Sequence, residues 1–376
     1  MVMHIPVELP NDGGPPVRIH RAWPRSDGSL VIEGREPRTG RIRAGRIDAE
    51  GRASLVPFRD DRALPGLDAG PSGELLVHRL KRRAVVRTDG RYTKFLAGGK
   101  AAAVRDAHLA VAAGLAGSGV VAPDVVAASE HSITLSAVPG VSLHDLGRGL
   151  DAGTWSASGV GSDHGSRPLD AWSRAWALWA NRWPGFVGTS ISNEPSAAAR
   201  IHSAQDEVCT LERWVGLAVG FDALGVSEDR LRRVSASVGT SLLNSSSPAG
   251  LAHRDLHDKQ VLVDPGTRSV GIIDCDTLAL AEPALDLANL AIHLDFREAQ
   301  GLLPVGTAAV GGHYIREVAE VLAVPFPRFE AYAAATALRL ACVYAFRPPY
   351  RDMASTWFSE LEERLGKRTF LSGMPA

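Results

Sequence analysis

The chain has 376 residues, 45% hydrophobic and 22% charged, and its 41 Lys and Arg nearly balance 42 Asp and Glu. That is too apolar for global disorder, and it lacks the basic excess of a nucleic-acid or membrane-surface binder, so neither partner is expected. No run reaches the roughly 18 apolar residues of a spanning helix, and the N-terminal MVMHIPVELP has no signal-peptide pattern. Three scattered cysteines, Cys209, Cys275 and Cys342, support neither a disulfide scaffold nor a multi-cysteine zinc site. The expectation is a cytoplasmic protein with a sizeable core.

In chain order, the first seventy residues are rich in Gly, Pro, Arg and Asp and carry short alternating runs such as SLVIEG (Ser29 to Gly34) and RASLVPF (Arg52 to Phe58). Short alternating runs between Gly and Asp turns predict a small β-rich unit. The segment Asp60 to Gly73 reads as a connector. From Glu74, two β-rich runs around Asp89-Gly90 predict a hairpin. The Ala-rich stretch Lys100 to Ala116 predicts a helix, and DVVAAS and SITLSAV, ended by Pro139-Gly140, predict two further strands.

Helical patterns dominate afterwards. A Gly- and Ser-rich loop (Gly147 to Ser166) precedes PLDAWSRAWALWANRWP, where Trp172, Trp176 and Trp179 recur at helical spacing and mark a core face. Further helices are predicted at Ala197 to Leu224, Glu228 to Leu243, Pro283 to Leu294, Pro327 to Ala345 and Met353 to Leu365. Among them lies a compact β-rich interval, VLVD and VGIID, around a Pro265-Gly266 turn. A β-rich lobe with one helix, a Pro-Gly hinge and a helical lobe with a β insert make an α+β bilobal architecture.

The chemistry concentrates in Leu251 to Leu294. Asp255 stands just before one strand and Gln260 at its entrance, while the next strand ends at Asp274, with Asp276 beyond. The Pro265-Gly266 turn brings Gln260 and Asp274 to the same end of the hairpin. An amide oxygen and a carboxylate there suit magnesium, whose other positions go to phosphates and water. Asp255 remains free to orient or deprotonate a hydroxyl. Asp276 is either a second metal ligand or a solvated carboxylate, and His257 and Asp258 face either substrate or solvent.

HRDLHDKQ resembles the catalytic loop H-x-D-x-x-x-x-N of the kinase superfamily, with Gln260 where Asn is usual. IIDCD resembles the metal-binding Asp motif, without the usual Phe-Gly, and EPALDLANL is similar to a segment of the aminoglycoside phosphotransferase and choline kinase-like family. That family includes capped sugar kinases such as maltokinases and bacterial glucosamine kinases. The resemblance implies a protein-kinase-like fold with a cap over residues 1–73, a nucleotide-binding lobe over 74–138 and a helical lobe over 139–376. It implies ATP and Mg2+ as cofactors, and Asp255 as the catalytic residue. Gln260, Asp274 and Asp276 become the metal ligands. Asp286 becomes a support of the catalytic loop, and His253 a structural residue near the metal Asp.

The same resemblance makes Lys94 the lysine of the nucleotide α- and β-phosphates. Asp106 is the one carboxylate on the following helix, and so the expected partner of Lys94. Backbone groups near Ala137 and Val138 are expected to bond adenine. No G-x-G-x-x-G precedes the lysine; the stretch HRLKRRAVV is basic instead, leaving Arg82, Arg83 or backbone for the phosphates. Only seven residues separate Asp274 from Glu282, too few for a protein kinase's activation segment. The implied activity is transfer of a phosphoryl group from ATP to a hydroxyl of a small molecule. The acceptor is an aminoglycoside, an amino sugar or a sugar, and Asp295, Glu298, Glu330 and Glu360 are candidates to attract a cationic one. The alternative is a nucleotide-binding pseudokinase or regulatory module.

Overall fold

The computed structural model describes residues 5–11, 14–150, 168–189 and 200–367. Most of the predicted Gly- and Ser-rich loop, and the start of the helical pattern from Ala197, lie outside the described residues.

The N-terminal region forms one antiparallel meander of β1 (Glu8–Asn11), β2 (Gly14–Pro24), β3 (Leu30–Arg35), β4 (Ile42–Ile47) and β5 (Ala53–Leu55). Asp27 closes the turn between β2 and β3 by accepting the Ser29 amide at 3.0 Å, the local bonding that makes Asp a turn residue. A second antiparallel sheet has the order β10-β11-β8-β7-β6, from β6 (Glu74–Arg79), β7 (Arg83–Thr88), β8 (Arg91–Leu96), β10 (Val125–Ala128) and β11 (Ser132–Ser136). Helix α1 (Ala101–Gly114) lies against β10 and β11.

The stretch between the two sheets has no regular structure, yet it is packed. Leu64 and Leu67 are buried in one cluster with Ile42 of the first sheet and Leu75, Ala84, Val86 and Phe95 of the second. Apolar burial of that kind makes the connector part of the core, not a free tether.

The hinge after β11 leads to β12 (Val141–Ser142) and α2 (Leu143–Arg148), whose first turn is capped by Ser142 accepting the Asp145 amide at 3.0 Å. The second half holds α3 (Pro168–Val187), α4 (Ala204–Gly220), α5 (Glu228–Leu243), α6 (Pro283–Ala299), α7 (Thr307–Val321), α8 (Phe326–Tyr344) and α9 (Arg351–Lys367). The tryptophan stripe of α3 is core. Trp172, Trp176, Trp179 and Trp183 are fully buried and follow one another along the helix with ring centroids 5.4–5.7 Å apart, the first two pairs edge to face and the last stacked. Helix α7 escaped the sequence pattern because its glycines dilute the apolar stripe. Gly311 has a packing reason: a Cβ there would come within 2.5 Å of Leu294 and 2.9 Å of Trp176, so the glycine lets α7 approach α3 and α6.

The β insert is the hairpin β14 (Val261–Asp264) and β15 (Ser269–Ile272), flanked by the pair β13 (Gly250–Ala252) and β16 (Ala279–Ala281). Strand β9 (Val120–Val121) belongs by sequence to the first lobe but pairs in parallel with β15. Together these elements form the α+β bilobal, protein-kinase-like fold: a β-rich first lobe carrying an extra N-terminal sheet, and a mainly helical second lobe.

The N-terminal sheet touches both lobes. Ala22 of β2 donates its amide to Phe346 O at 2.9 Å, at the end of α8. On the other side Leu80, at the tip of the β6–β7 turn, is buried with Val31 and Ala44 against Trp23 and Val56.

Candidate active site

Lys94 lies in the middle of β8, paired with Ile133 on one side and Val85 on the other, and only 8% exposed. Its Nζ reaches across to the second lobe, 2.7 Å from Asp274 Oδ1 and 2.7 Å from Asp276 Oδ1. Burial opposes its charge, but the two carboxylates outweigh it and hold the lysine above its ordinary pKa. Asp274 is half-buried, and although desolvation opposes its charge, Lys94 and Arg83 hold it well below the usual carboxylate range. Burial likewise opposes ionisation of Asp276, and a hydrogen bond from His108 together with Lys94 overcomes it.

This arrangement corrects one expectation. Asp106 is not the partner of Lys94: it is exposed and bonded to its neighbour Arg105 at 2.9 Å. Two residues along a helix is about 200° of rotation, so when one residue faces the cleft the other faces solvent. The inward residue of α1 is His108, fully buried, with Nε2 3.2 Å from Asp276 Oδ1. Sequence reasoning searched that helix for a carboxylate and passed over the histidine.

Asp274 adopts a left-handed backbone conformation (φ 61°, ψ 47°), as does Arg254 in the catalytic loop (φ 68°). Non-glycine residues rarely hold that conformation without support from their surroundings. Asp286 supplies it for the loop. Its two carboxylate oxygens accept the His253 and Arg254 amides at 2.6 and 2.7 Å. Burial raises the Asp286 pKa, against the pull of His253 and Arg254. The His253 ring bonds Ile273 O at 2.8 Å, and Asn289 Nδ2 donates to Arg254 O at 3.2 Å.

Within the loop, Asp258 faces inward. It is fully buried, with Oδ2 2.6 Å from His144 Nδ1 and 3.2 Å from Arg297 Nε. Burial opposes its charge, and the His144 bond and Arg297 still hold it well below the usual range. It fastens the loop to α2 and α6 and touches no open surface. His257 packs its ring 4.9 Å from that of His293, and burial pushes its pKa down to about 4, so it is neutral at pH 7. Asp255 is different: half-buried at the front of the loop, its carboxylate makes no hydrogen bond among the described residues.

Gln260 and Asp274 lie at the same end of the β14–β15 hairpin, joined by the Ile273 amide donating to Gln260 O at 3.0 Å. No group of three His, Cys, Asp or Glu placed to hold a metal occurs among the described residues. The two carboxylates and one amide nevertheless match what magnesium takes from a protein when nucleotide phosphates supply the remaining oxygens.

At the hinge, Ala137 spends its amide on Gly90 O at 2.9 Å, so that donor is taken. Val138 is buried, and a Cβ on Gly271 would stand 2.3 Å from its Cγ1; the glycine lets the hinge lie on the hairpin. The β6–β7 turn fills the place of the missing glycine-rich loop. Arg83 Nη1 lies 4.0 Å from Asp274 Oδ2, and Lys81 donates its amide to Asp61 at 2.6 Å. Of the carboxylates considered for a cationic acceptor, Glu298 caps α7 by accepting the Ala308 amide at 2.6 Å. Asp295 is half-buried near Arg364 of α9, and burial pushes its pKa up to about 6.

The arrangement is thus a strand lysine answered by two carboxylates, and a braced H-x-D loop whose Asp255 has no partner among the described residues. The chain belongs to the phosphotransferase enzyme family, whose model matches residues 82–322. Similar solved structures include the GDP and kanamycin complex of APH(2'')-IIia, at 16% identity over 80% of this chain and 97% of that one, with a TM-score of 0.51. A thermostable mutant of aminoglycoside phosphotransferase APH(4)-Ia is 15% identical over 80% of this chain and 96% of that one, with a TM-score of 0.52. No curated protein sequence matches the chain. The family match starts beyond the N-terminal sheet. Among the described residues no helix is long and apolar enough to cross a membrane.

Proposed function

We propose that the protein is an ATP- and magnesium-dependent kinase of a small hydroxylated molecule, an aminoglycoside-type compound or a sugar or amino sugar, working in the cytoplasm. In this reading residues 1–73 are a cap, 74–138 bind nucleotide and 139–376 carry the catalytic loop and acceptor. The observation that carries it is the contrast within one cleft: Lys94 is held by Asp274 and Asp276, while Asp255, on a braced loop, has no partner among the described residues.

Phosphoryl transfer depends mainly on position and charge neutralisation. Lys94 holds the α- and β-phosphates once they displace it from the carboxylates. Asp274, Asp276 and Gln260 hold magnesium, which when bound neutralises charge on the phosphates. The backbone near Ala137 and Val138 borders adenine, with the Ala137 amide already spent. Asp255 orients the acceptor hydroxyl and takes its proton as the oxygen bonds the γ-phosphorus. The bond from that phosphorus to the bridging oxygen breaks, and ADP leaves.

A coupled ADP-release screen against aminoglycosides, glucosamine, maltose and choline tests the reading, with calorimetric ATP titrations of each variant. Asp255→Asn should cut turnover about 10²- to 10⁴-fold, the span of a general base, and keep ATP binding. Asp274→Ala should abolish turnover and weaken magnesium-dependent ATP binding. A protein that binds ATP but releases no ADP with any acceptor would be the nucleotide-binding module instead.

A further inference from the structure

Helix α1 buries Ala101, His108 and Val111 at helical spacing, so they form one inward stripe. His108 is the polar member of that stripe and is fully buried. A polar ring on an apolar face is disfavoured unless it is hydrogen-bonded. Its Nε2 lies 3.2 Å from Asp276 Oδ1, and its Nδ1 is buried with no partner among the described residues. A carboxylate oxygen can only accept, so Nε2 is the nitrogen that carries the hydrogen. The hydrogen bonding of the ring is therefore aimed at Asp276 alone.

Asp276 stands on the short 3-10 turn Cys275–Thr277, and α1 lies against that turn. Its two oxygens are used differently. Oδ1 accepts from Lys94 at 2.7 Å as well as from His108, whereas Oδ2 has no hydrogen bond among the described residues. Lys94 also bonds Asp274 Oδ1 at 2.7 Å, and so bridges the two aspartates. In the proposed reaction the lysine leaves both of them for the nucleotide phosphates. Two carboxylates that lose a shared cation repel each other, and of the two bonds on Asp276 Oδ1 only the one from His108 is left. Kinase-like folds use a glutamate of this helix to hold the lysine. In this chain the inward residue of the helix holds a carboxylate instead.

We infer that His108 is a positioning residue for the metal: its Nε2 hydrogen fixes Asp276 Oδ1 and keeps that carboxylate set for magnesium once Lys94 has moved to the phosphates. This rests on the phosphotransfer reading and adds to it a residue that acts through Asp276. Because α1 belongs to the first lobe and Asp276 to the second, the bond also makes magnesium binding depend on the contact between the lobes.

Calorimetric ATP titrations with and without magnesium test this without any acceptor. His108→Leu keeps an apolar side chain on the buried stripe and removes the donor, while His108→Gln carries an amide nitrogen to about where Nε2 stands. With magnesium, ATP should bind His108→Leu about 10- to 100-fold more weakly than the native protein, the usual cost of losing a group that orients a metal ligand. Without magnesium the two should bind ATP alike, and His108→Gln should recover most of the loss. A histidine that merely fills the core would, on removal, weaken ATP equally in both conditions, and that result overturns the inference. If His108→Leu does not fold, His108→Gln and His108→Asn decide. The Asn amide stops short of Asp276, so that variant alone should lose the magnesium enhancement, and equal behaviour of the two overturns the inference. A magnesium dependence that survives unchanged in His108→Leu sinks the inference alone. A native protein whose ATP binding ignores magnesium sinks the phosphotransfer reading, and the role of His108 with it.

Discussion

Two loops face each other across the cleft, and they are held in opposite ways. The catalytic loop is braced from within its own lobe: Asp286 takes two of its amides, Asn289 one of its carbonyls, and Asp258 ties it to His144 and Arg297. The β6–β7 turn is braced from outside. Leu80 is buried among Val31, Ala44, Trp23 and Val56 of the N-terminal region, Arg79 stacks on Trp23 at 5.0 Å, and Glu33 and Asp61 take the amides of His78 and Lys81. Kinase-like folds place a flexible glycine-rich loop here. In this chain a packed basic turn stands in its place, and rigidity comes from an added sheet instead of from the turn's own sequence. In the proposed reading the first kind of support positions the reacting groups, and the second sets how readily the phosphates are covered.

The largest effect should come from breaking the internal brace. Asp286→Ala leaves the His253 and Arg254 amides buried with no acceptor, at about 1–3 kcal/mol each. Against a total stability of about 5–15 kcal/mol, chemical denaturation should show a loss of several kcal/mol. Turnover should fall at least about 10²-fold, because Asp255 is then misplaced. Asp286→Asn, which keeps one oxygen, should recover part of both. A variant of normal stability and turnover would show that the loop holds its shape without Asp286.

The same contrast explains what could be read in advance. The H-x-D loop, Asp274 and Asp286 all fall within Leu251 to Leu294, and the family resemblance of that stretch is what implied Asp286 as the brace. Leu80 finds its partners some 24 to 57 positions away, through ordinary packing that leaves no motif. The Asp106 reading failed because it weighed residue type and not helical face; His108 is the inward residue. The tryptophan stripe was legible because a period of three and four residues is a property of the helix itself. The connector was readable as irregular chain, but not as core, since Leu64 and Leu67 become core only when two sheets meet over them.

An intermediate effect should follow from loosening the outer brace. Leu80→Ala removes a buried side chain from a small cluster, so the cost should lie near the low end of the range for such changes, about 2 kcal/mol. If most of that is felt as opening of the turn, the KM for ATP should rise about tenfold, with kcat at saturating ATP much less affected. Steady-state kinetics separate the two loops cleanly: a fall in kcat matching that of Asp286→Ala would mean that the turn also positions the reacting groups.

The smallest effect is a difference in acid sensitivity. His78 is buried beside Asp61, its Nε2 3.2 Å from Asp61 Oδ2, at the foot of the β6–β7 turn. Burial lowers its pKa below the ordinary 6.5, with Asp61 and Glu33 opposing. A histidine with a depressed folded pKa binds fewer protons folded than unfolded, so its contribution is present above 6.5 and is lost as pH falls below it. The loss is at most about 1.4 kcal/mol for each unit of separation. His257 in the catalytic loop, pushed down to about 4, imposes the same kind of penalty, but protonates in place only near that lower pH. His78→Gln keeps an amide donor toward Asp61 and removes the titration at the turn. The variant should therefore be less stable than the native protein at pH 8 and lose less between pH 6.5 and 5, and the rise in KM for ATP on acidification should be smaller. Parallel losses in both proteins would place the acid sensitivity elsewhere than at His78.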